Sequence, residues 1–250
     1  MTTNKIKKIV LIISIIICLV GIIYSLYKIL IWKANVDENE TIRKKTEDSI
    51  KIIEPNDQKK EEVKYEIDFK TLKEENSDTV GYIKVNNTNI NYVVVKGTDN
   101  KFYLNHNFNK KYNVAGWIFA DYHNKFDGTD KNIIIYGHNT HNGSMFNTLA
   151  NSLKKEWYTN KENHIITLVT EYGTQYYEVF STYSIVPEDY YIKTEFNDDE
   201  FANFIQNIKM RSFYDYGVSL TNIDKILTLS SCIGNHGEKR VVLHAKLIEQ

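Results

Sequence analysis

An uninterrupted apolar run near the N-terminus constrains this chain most, because it limits where the residues after it can fold. The run extends from Ile9 to Leu26 without a charged side chain. As a helix it spans roughly 27 Å, close to the thickness of the hydrocarbon layer of a membrane. Three lysines lie among residues 1–8, which favours a cytoplasmic N-terminus. We therefore predict a membrane anchor over residues 9–27, with residues 1–8 in the cytoplasm and the rest of the chain outside the cell.

A cleaved signal peptide is the alternative interpretation of this run. The run is longer than a typical signal-peptide core, and no small-x-small cleavage pattern follows it. Tyr24, Tyr27 and Trp32 lie where the aromatic belt of a membrane interface is found. The sequence therefore favours an uncleaved, single-pass anchor in the cell membrane.

The composition predicts an ordered domain after the anchor. Among 250 residues there are 18 Tyr and 11 Phe but only 2 Pro, and the formal net charge is −1. The aromatic side chains suffice for a core, and the charge balance gives no electrostatic reason to expect nucleic acid as a partner. Residues 28–64 are rich in Lys, Glu, Asp and Asn, which predicts a solvated stalk that is helical or partly disordered. The folded domain is predicted over residues 65–250.

Short runs of β-branched and aromatic residues, separated by Asn and Gly, predict a mostly β domain. The predicted strands are 81–85, 90–96, 116–120, 132–136, 164–170, 176–185, 226–231 and 240–247. Helices are predicted over 145–153 and 198–210, and residues 65–75 form either a last helix before the domain or a docking segment. Eight short strands at irregular intervals favour a closed barrel or a sandwich over a parallel sheet, and we favour the barrel.

One cysteine stands apart from the membrane segment. Cys18 lies inside the apolar run, whereas Cys232 is alone in the predicted extracellular part. An unpaired thiol is unusual outside the cell. Cys232 ends an apolar strand that begins at Ile226, a position suited to a nucleophile. The alternative is a buried cysteine that acts as a small hydrophobic residue.

Two further residues follow the same strand-end pattern. His138 comes just after the strand 132–136 and a glycine, and Arg240 opens the strand that follows Cys232. A hairpin brings Arg240 near Cys232. A cation favours the reactive thiolate, a histidine can protonate a leaving amine, and an arginine can stabilise an oxyanion. These three residue types together indicate acyl transfer through a cysteine.

A zinc site is the competing use of the same segments. His138 and His141, with Cys232 and His236, could supply one sulfur and three imidazoles. This arrangement leaves Arg240 unexplained, so we favour the enzyme and expect no metal. The sequence contains no phosphate-binding loop, dinucleotide fingerprint or calcium loop, and no cofactor is expected.

Two motifs resemble those of the sortase family. Thr228-Leu-Ser-Ser-Cys232 resembles the family signature Thr-Leu-x-Thr-Cys, with Arg240 on the following strand, and Tyr136-Gly-His138-Asn139 is similar to the histidine motif. The stretch 143–149 and the helix-bearing insert between the sixth and seventh strands are similar to class B sortases. Ser231 replaces the usual threonine and keeps the hydroxyl. The resemblance covers the chain from about residue 65 to its end.

The resemblance implies a closed eight-stranded sortase-type barrel with N-terminal helices and a helix in that insert. It also implies a transpeptidase that joins secreted proteins to the cell wall of Gram-positive bacteria. Cys232 attacks the carbonyl after the threonine of a C-terminal sorting signal, Arg240 stabilises the oxyanion and His138 protonates the leaving amine. An amine of peptidoglycan then resolves the thioester. Ser230, Ser231 and Asn139 are the expected substrate contacts.

Two other functions remain open at this point. A cysteine peptidase that hydrolyses the same acyl-enzyme uses the same three residues. A non-catalytic binding module on a membrane stalk requires Cys232 to be buried and unreactive. The residues also leave open whether the signal is of the Asn-Pro-x-Thr or the Pro-x-Thr-Gly type.

Overall fold

The computed structural model describes residues 3–53, 64–140, 142–233 and 238–249. Two compact units divide the chain, Met1–Glu38 and Asn39–Gln250. Helix α1 (Thr3–Glu47) begins in the first unit and ends in the second. Within the part of the chain that is described, it is the one helix long and apolar enough to cross a membrane. The length and composition of the helix support this conclusion, and a signal sequence can have the same length and composition.

The second unit is built around a closed barrel of eight described strands, which confirms the predicted fold. The strands are β3 (Thr79–Val85), β4 (Asn91–Val95), β5 (Phe119–Ala120), β6 (Asn132–Gly137), β7 (Ile165–Thr170), β8 (Gly173–Ile185), β9 (Ile226–Ile233) and β10 (Lys239–Glu249). They close in the order β10-β8-β7-β3-β4-β5-β6-β9. The pairs β4–β5 and β6–β9 are parallel, and the other neighbours are antiparallel.

The remaining described elements lie outside the barrel wall. They are β1 (Ile50–Ile53), β2 (Lys64–Ile67), α2 (Phe69–Glu75), α3 (Lys155–Thr159), α4 (Asp198–Met210) and 3₁₀ helices at Phe102–Leu104, Asn147–Leu153, Lys161–His164 and Tyr190–Ile192. The helix predicted over 145–153 is therefore a 3₁₀ helix. Its Asn, Thr and Ser side chains compete for backbone hydrogen bonds and disfavour a regular α-helix.

The segment predicted as a solvated stalk, helical or partly disordered, is helical in its first part and has buried residues there. Helix α1 continues to Glu47, and Asn39 and Ile42 on it are buried. Ile42 packs in the main core of the second unit. Strands β1 and β2 then pair in antiparallel fashion. Residues 65–75, predicted as a last helix or a docking segment, form the end of β2 and helix α2. A highly charged segment can still bury its few apolar residues on one face.

A second hydrophobic core lies between the barrel wall and the insert that joins β8 to β9. Helix α4 contributes four buried side chains at helical spacing, Phe201, Phe204, Ile205 and Ile208. The helix starts with a capping box, in which the side chains of Asn197 and Glu200 each bond to the other's backbone N–H. The core also contains Ile226 of β9 and Val242 of β10. The predicted helix 198–210 and its apolar stripe are thus found as expected.

A buried chain of hydrogen bonds links this part of the wall to the insert. Thr228 Oγ1 donates to Asn132 Oδ1 at 2.7 Å, and Asn132 Nδ2 donates to the carbonyl of Lys193 at 2.9 Å. His244 Nδ1 lies 2.8 Å from Thr228 Oγ1, and His244 Nε2 lies 2.9 Å from the Tyr183 hydroxyl. Because the Thr228 hydrogen is already used, His244 carries its proton on Nδ1, and Tyr183 donates to Nε2. Thr228, the threonine of the cysteine motif, is therefore a structural residue.

The buried hydrogen bonds of His244 predict how the free energy of unfolding depends on pH. Burial, with a smaller effect of the Arg211 charge, lowers the pKa of His244 to about 3 from 6.5. The unfolded chain binds a proton below pH 6.5 that the folded chain does not, so stability falls as the pH drops from 6.5 towards 3. This residue contributes up to about 1.4 kcal/mol per pH unit in that window.

We expect His244→Gln to flatten this dependence, as measured by denaturant unfolding of the full chain in detergent between pH 4.5 and 7. The difference between the pH dependences of the two proteins gives the contribution of His244 alone, because the carboxylates that also titrate in acid are the same in both. Equal slopes in the two chains would show that His244 is not the buried neutral group described above.

Candidate active site

Three adjacent strands bring the predicted residues to one level of the barrel. Arg240 of β10 lies directly opposite Cys232 of β9. On the other side of β9, Gly137 of β6 lies opposite Ser231. His138 follows Gly137 and therefore lies beside Cys232. Neighbouring strands lie about 4.7–4.9 Å apart in a sheet, so the register brings the three residues to one level of three adjacent strands.

The alternation of side chains along β9 explains why this site is open. Ile226, Thr228, Ser230 and Cys232 share one face of the strand because successive side chains alternate. Ile226 is covered by the α4 core and Thr228 belongs to the buried hydrogen-bond chain. The insert thus covers the start of this face and leaves its end exposed. Cys232 is partly exposed and forms no disulfide among the described residues, so its thiol is accessible from the cavity.

The exposed end is a cavity of about 430 Å³. Cys232, His138 and Arg240 all line it, together with Ser230 and Ser231. The wall also includes Asn100, Leu104, Phe119, Tyr136, Pro187, Glu188, Asp189, Tyr191 and Ile192. A cavity of this size, mostly apolar with a few polar groups, is typical of a peptide or small-molecule site.

The three predicted substrate contacts differ from one another in their position relative to the cavity. The Ser230 hydroxyl lies 3.2 Å from the hydroxyl of Tyr191. Ser231 also lines the cavity, but its Oγ is buried without a hydrogen-bond partner among the described residues. Asn139 is absent from the described lining, and its Oδ1 accepts a hydrogen bond from Asn147 at 2.6 Å. Ser230 is therefore the best placed of the three to touch a ligand.

A backbone carbonyl orients His138. Its Nε2 lies 2.7 Å from the carbonyl oxygen of Leu104. A carbonyl only accepts, so Nε2 carries a hydrogen and Nδ1 is the nitrogen left for proton transfer. The preceding residue, Gly137, is closely packed, because a Cβ there would lie 2.5 Å from Ile118 and 2.6 Å from Phe146.

Electrostatics at the cavity favour neutral tyrosines beside the charged groups. Burial raises the pKa of Tyr191, although its hydrogen bond to Ser230 and the Arg240 charge oppose the increase. Cys232 is close enough to affect the same hydroxyl. Tyr191 therefore remains a hydrogen-bond donor at neutral pH. Arg240 Nη1 donates to the carbonyl of Lys239 at 3.2 Å, which holds the guanidinium at the start of β10.

A buried carboxylate supports the opposite wall, and the sequence reasoning missed it. Asp121 Oδ2 accepts hydrogen bonds from Asn100 at 2.7 Å and from Tyr136 at 2.8 Å. His123 Nδ1 lies 2.8 Å from the other oxygen of Asp121. Burial, together with Asp121, raises the pKa of Tyr136, so its hydroxyl is neutral. Its position in the sequence could have indicated Asp121 as a site residue, because it directly follows a predicted strand.

The zinc alternative rests partly on residues outside the described part of the chain. His141 and His236 belong to that undescribed part. Among the described residues, no group of three or more His, Cys, Asp or Glu side chains is arranged to hold a metal ion. His138 and Cys232 instead line the same cavity as Arg240.

The chain is similar to known proteins of one family. The family model for the Sortase domain matches residues 83–248. Sortase B from Staphylococcus aureus is 36% identical over 184 residues, which cover 72% of this chain and 75% of that protein. Sortase B from Listeria monocytogenes is 36% identical over 186 residues, with coverage of 72% and 74%.

A solved structure shows the same fold over a larger part of the chain. Sortase B from B. anthracis superimposes with a TM-score of 0.75 at 30% identity, covering 87% of this chain and 99% of that one. The chain therefore belongs to the sortase family, in its class B, whose members are cysteine transpeptidases.

Proposed function

We propose that this enzyme cleaves a C-terminal sorting signal after threonine and transfers the protein to an amine of peptidoglycan. The observation that carries the proposal is the register of β6, β9 and β10, which sets His138, Cys232 and Arg240 side by side at one cavity. Each of the three residues has a separate chemical task in this reaction.

In the first half-reaction the Cys232 thiolate forms a bond to the threonine carbonyl carbon. The electron pair of the C=O bond moves onto oxygen, where the guanidinium of Arg240 stabilises the negative charge. As the C–N bond breaks, His138 gives a proton to the leaving amine. The products are a thioester on Cys232 and the free C-terminal peptide.

In the second half-reaction an amine attacks the thioester carbonyl. His138, now neutral, takes a proton from the amine as the new amide bond forms. The Cys232 thiolate is released and the starting state is restored, so the reaction is ping-pong. Water in place of the amine gives hydrolysis, which is the peptidase alternative.

The anchor and the signal type complete the proposal. The apolar part of α1 holds the chain in the membrane with residues 1–8 in the cytoplasm, which places the second unit outside, where secreted proteins and peptidoglycan precursors meet. Membership in class B supports a signal of the Asn-Pro-x-Thr type. Ser230 and Tyr191 are the donors best placed to hold its polar groups.

We expect the full chain in detergent to cleave Asn-Pro-x-Thr peptides at least tenfold faster than Pro-x-Thr-Gly peptides. With a glycine-peptide amine present, the cleaved peptide should be joined to that amine, as identified by mass spectrometry of the products. A matched peptide with alanine in place of threonine serves as the control and should not be cleaved.

Three other outcomes each contradict part of this proposal. Faster cleavage of Pro-x-Thr-Gly peptides contradicts the assigned signal. Cleavage that gives only hydrolysed product at millimolar amine supports the peptidase. Peptide binding without any cleavage supports the non-catalytic module.

A further inference from the structure

The C-terminal part of helix α1 makes a buried polar contact with the barrel domain. Asn39 is 3% exposed, and its Nδ2 donates to the carbonyl oxygen of Gly116 at 2.9 Å. The two residues are 77 positions apart in the chain. A buried amide that reaches a single backbone carbonyl over this distance fixes that carbonyl in space.

Gly116 is packed tightly against the backbone at the end of the 3₁₀ helix Phe102–Leu104. Its φ angle is +58°, a conformation that favours glycine. A Cβ at this position would lie 2.4 Å from the carbonyl oxygen of Tyr103 and 2.8 Å from that of Leu104. The next residue, Trp117, donates its N–H to the same Tyr103 carbonyl at 3.0 Å. Gly116 and the Leu104 carbonyl therefore keep a fixed spacing.

The Leu104 carbonyl is the group that orients His138 at the cavity, at 2.7 Å from Nε2. A contact path thus leads from Asn39 through Gly116 and Leu104 to the proton donor. The first and last steps are hydrogen bonds, and the middle step is an approach of two backbone segments that leaves no room for a Cβ on Gly116. Close-packed backbone transmits a shift of a few tenths of an ångström instead of absorbing it.

We propose that Asn39 is a positioning residue for His138, which holds the imidazole where it can protonate the leaving amine. The inference rests on the proposed function and adds the N-terminal helix to the groups that set the rate of acylation. Proton transfer depends steeply on geometry, and a displacement of about 1 Å can lower a rate by about 10²-fold. Peptide binding depends on other parts of the cavity and is not affected.

The test compares two leaving groups in the full chain in detergent. One substrate is the cleavable signal peptide with its natural amide, and the other is the same peptide as an activated thioester, whose leaving thiolate needs no proton. Asn39→Ala is expected to lower kcat on the amide about tenfold with KM unchanged. Acylation of Cys232 by the thioester is expected to stay within twofold of the natural chain.

Ile42→Ala is the matched control. Ile42 lies on the same helix and packs in the barrel core, but its side chain has no N–H that could donate to the Gly116 carbonyl. This variant removes more buried apolar surface than Asn39→Ala and is expected to be the less stable of the two. If Asn39 acts only by docking the helix, Ile42→Ala loses more activity and both substrates slow equally. If Asn39 positions His138, only Asn39→Ala slows the amide selectively.

Asn39→Leu keeps a branched side chain of similar shape, although a larger one, without the N–H donor, and it replaces Asn39→Ala if the smaller variant fails to fold. Equal slowing of amide and thioester, or no slowing, overturns the inference while leaving the proposed function intact. Failure of the natural chain to cleave either substrate overturns the proposed function instead. The two failures are therefore distinguishable in one experiment.

Discussion

Replacing Cys232 with alanine is expected to abolish transpeptidation, with a loss of at least about 10⁴-fold in kcat, because no other group can form the thioester. Cys232 lies at the partly exposed end of β9, so the substitution removes one sulfur from a position outside both cores. We expect the free energy of unfolding to change by less than about 1 kcal/mol. Peptide turnover and denaturant unfolding of the full chain measure the two effects.

The signal peptide should still bind to the Cys232→Ala chain with an unchanged Kd. The cavity wall formed by Tyr191 and Ser230 does not depend on the sulfur. Cys18→Ala is the matched control, since it removes the other cysteine from the apolar run and should keep full activity. Turnover above one hundredth of the natural rate in Cys232→Ala would exclude Cys232 as the nucleophile.

Replacing Arg240 with glutamine is expected to lower kcat by about 10²–10³-fold and to leave KM within about threefold. The guanidinium lies opposite Cys232 and is proposed to donate to an oxygen that becomes negative only in the transition state. Loss of such a donor lowers kcat without weakening ground-state binding. Steady-state kinetics with the amide substrate separate the two parameters.

Two further variants test whether geometry or charge matters at this position. Arg240→Lys keeps the charge but loses the planar pair of donors, and we expect it to recover only part of the rate. Lys239→Gln removes a positive charge from the neighbouring exposed position and should change kcat by less than twofold. A large rise in KM with unchanged kcat in Arg240→Gln would show that Arg240 binds the signal and has no role at the oxyanion.

The sequence could predict one half of the site from local pattern. Cys232 and Arg240 end and begin consecutive strands, and consecutive strands usually pair as a hairpin. Their direct opposition in the structure follows from this short connection. The helix over 198–210 was equally accessible, because four buried apolar side chains recur at helical spacing.

The position of His138 beside Cys232 was not accessible from local pattern. It depends on the parallel pairing of β6 with β9, two strands far apart in the chain. No turn or periodicity specifies such a pairing, and only the motif resemblance connected the two residues. The same reason hid Asp121, whose hydrogen-bond partners Asn100 and Tyr136 come from separate segments.

The burial of residues in the segment after the anchor could not be predicted, for a different reason. Its many charged residues indicate solvent exposure on average, yet Asn39 and Ile42 are buried. A helix with one narrow buried face has a weak apolar signal when the rest of its surface is charged. The 3₁₀ helix at Asn147–Leu153 shows a similar limit, since its apolar residues suggested a helix but its polar residues determine the type.

The most direct test of the central claim is intact-mass spectrometry of the full chain mixed with an Asn-Pro-x-Thr peptide and quenched within seconds, with no amine added. We expect the mass of the protein to increase by the mass of the peptide acyl group that ends at the threonine, and fragmentation should locate this group on Cys232. Adding a glycine-peptide amine before the quench should remove this adduct and release the joined product. Formation of joined product without any adduct on Cys232, or an adduct on another residue, would contradict the account.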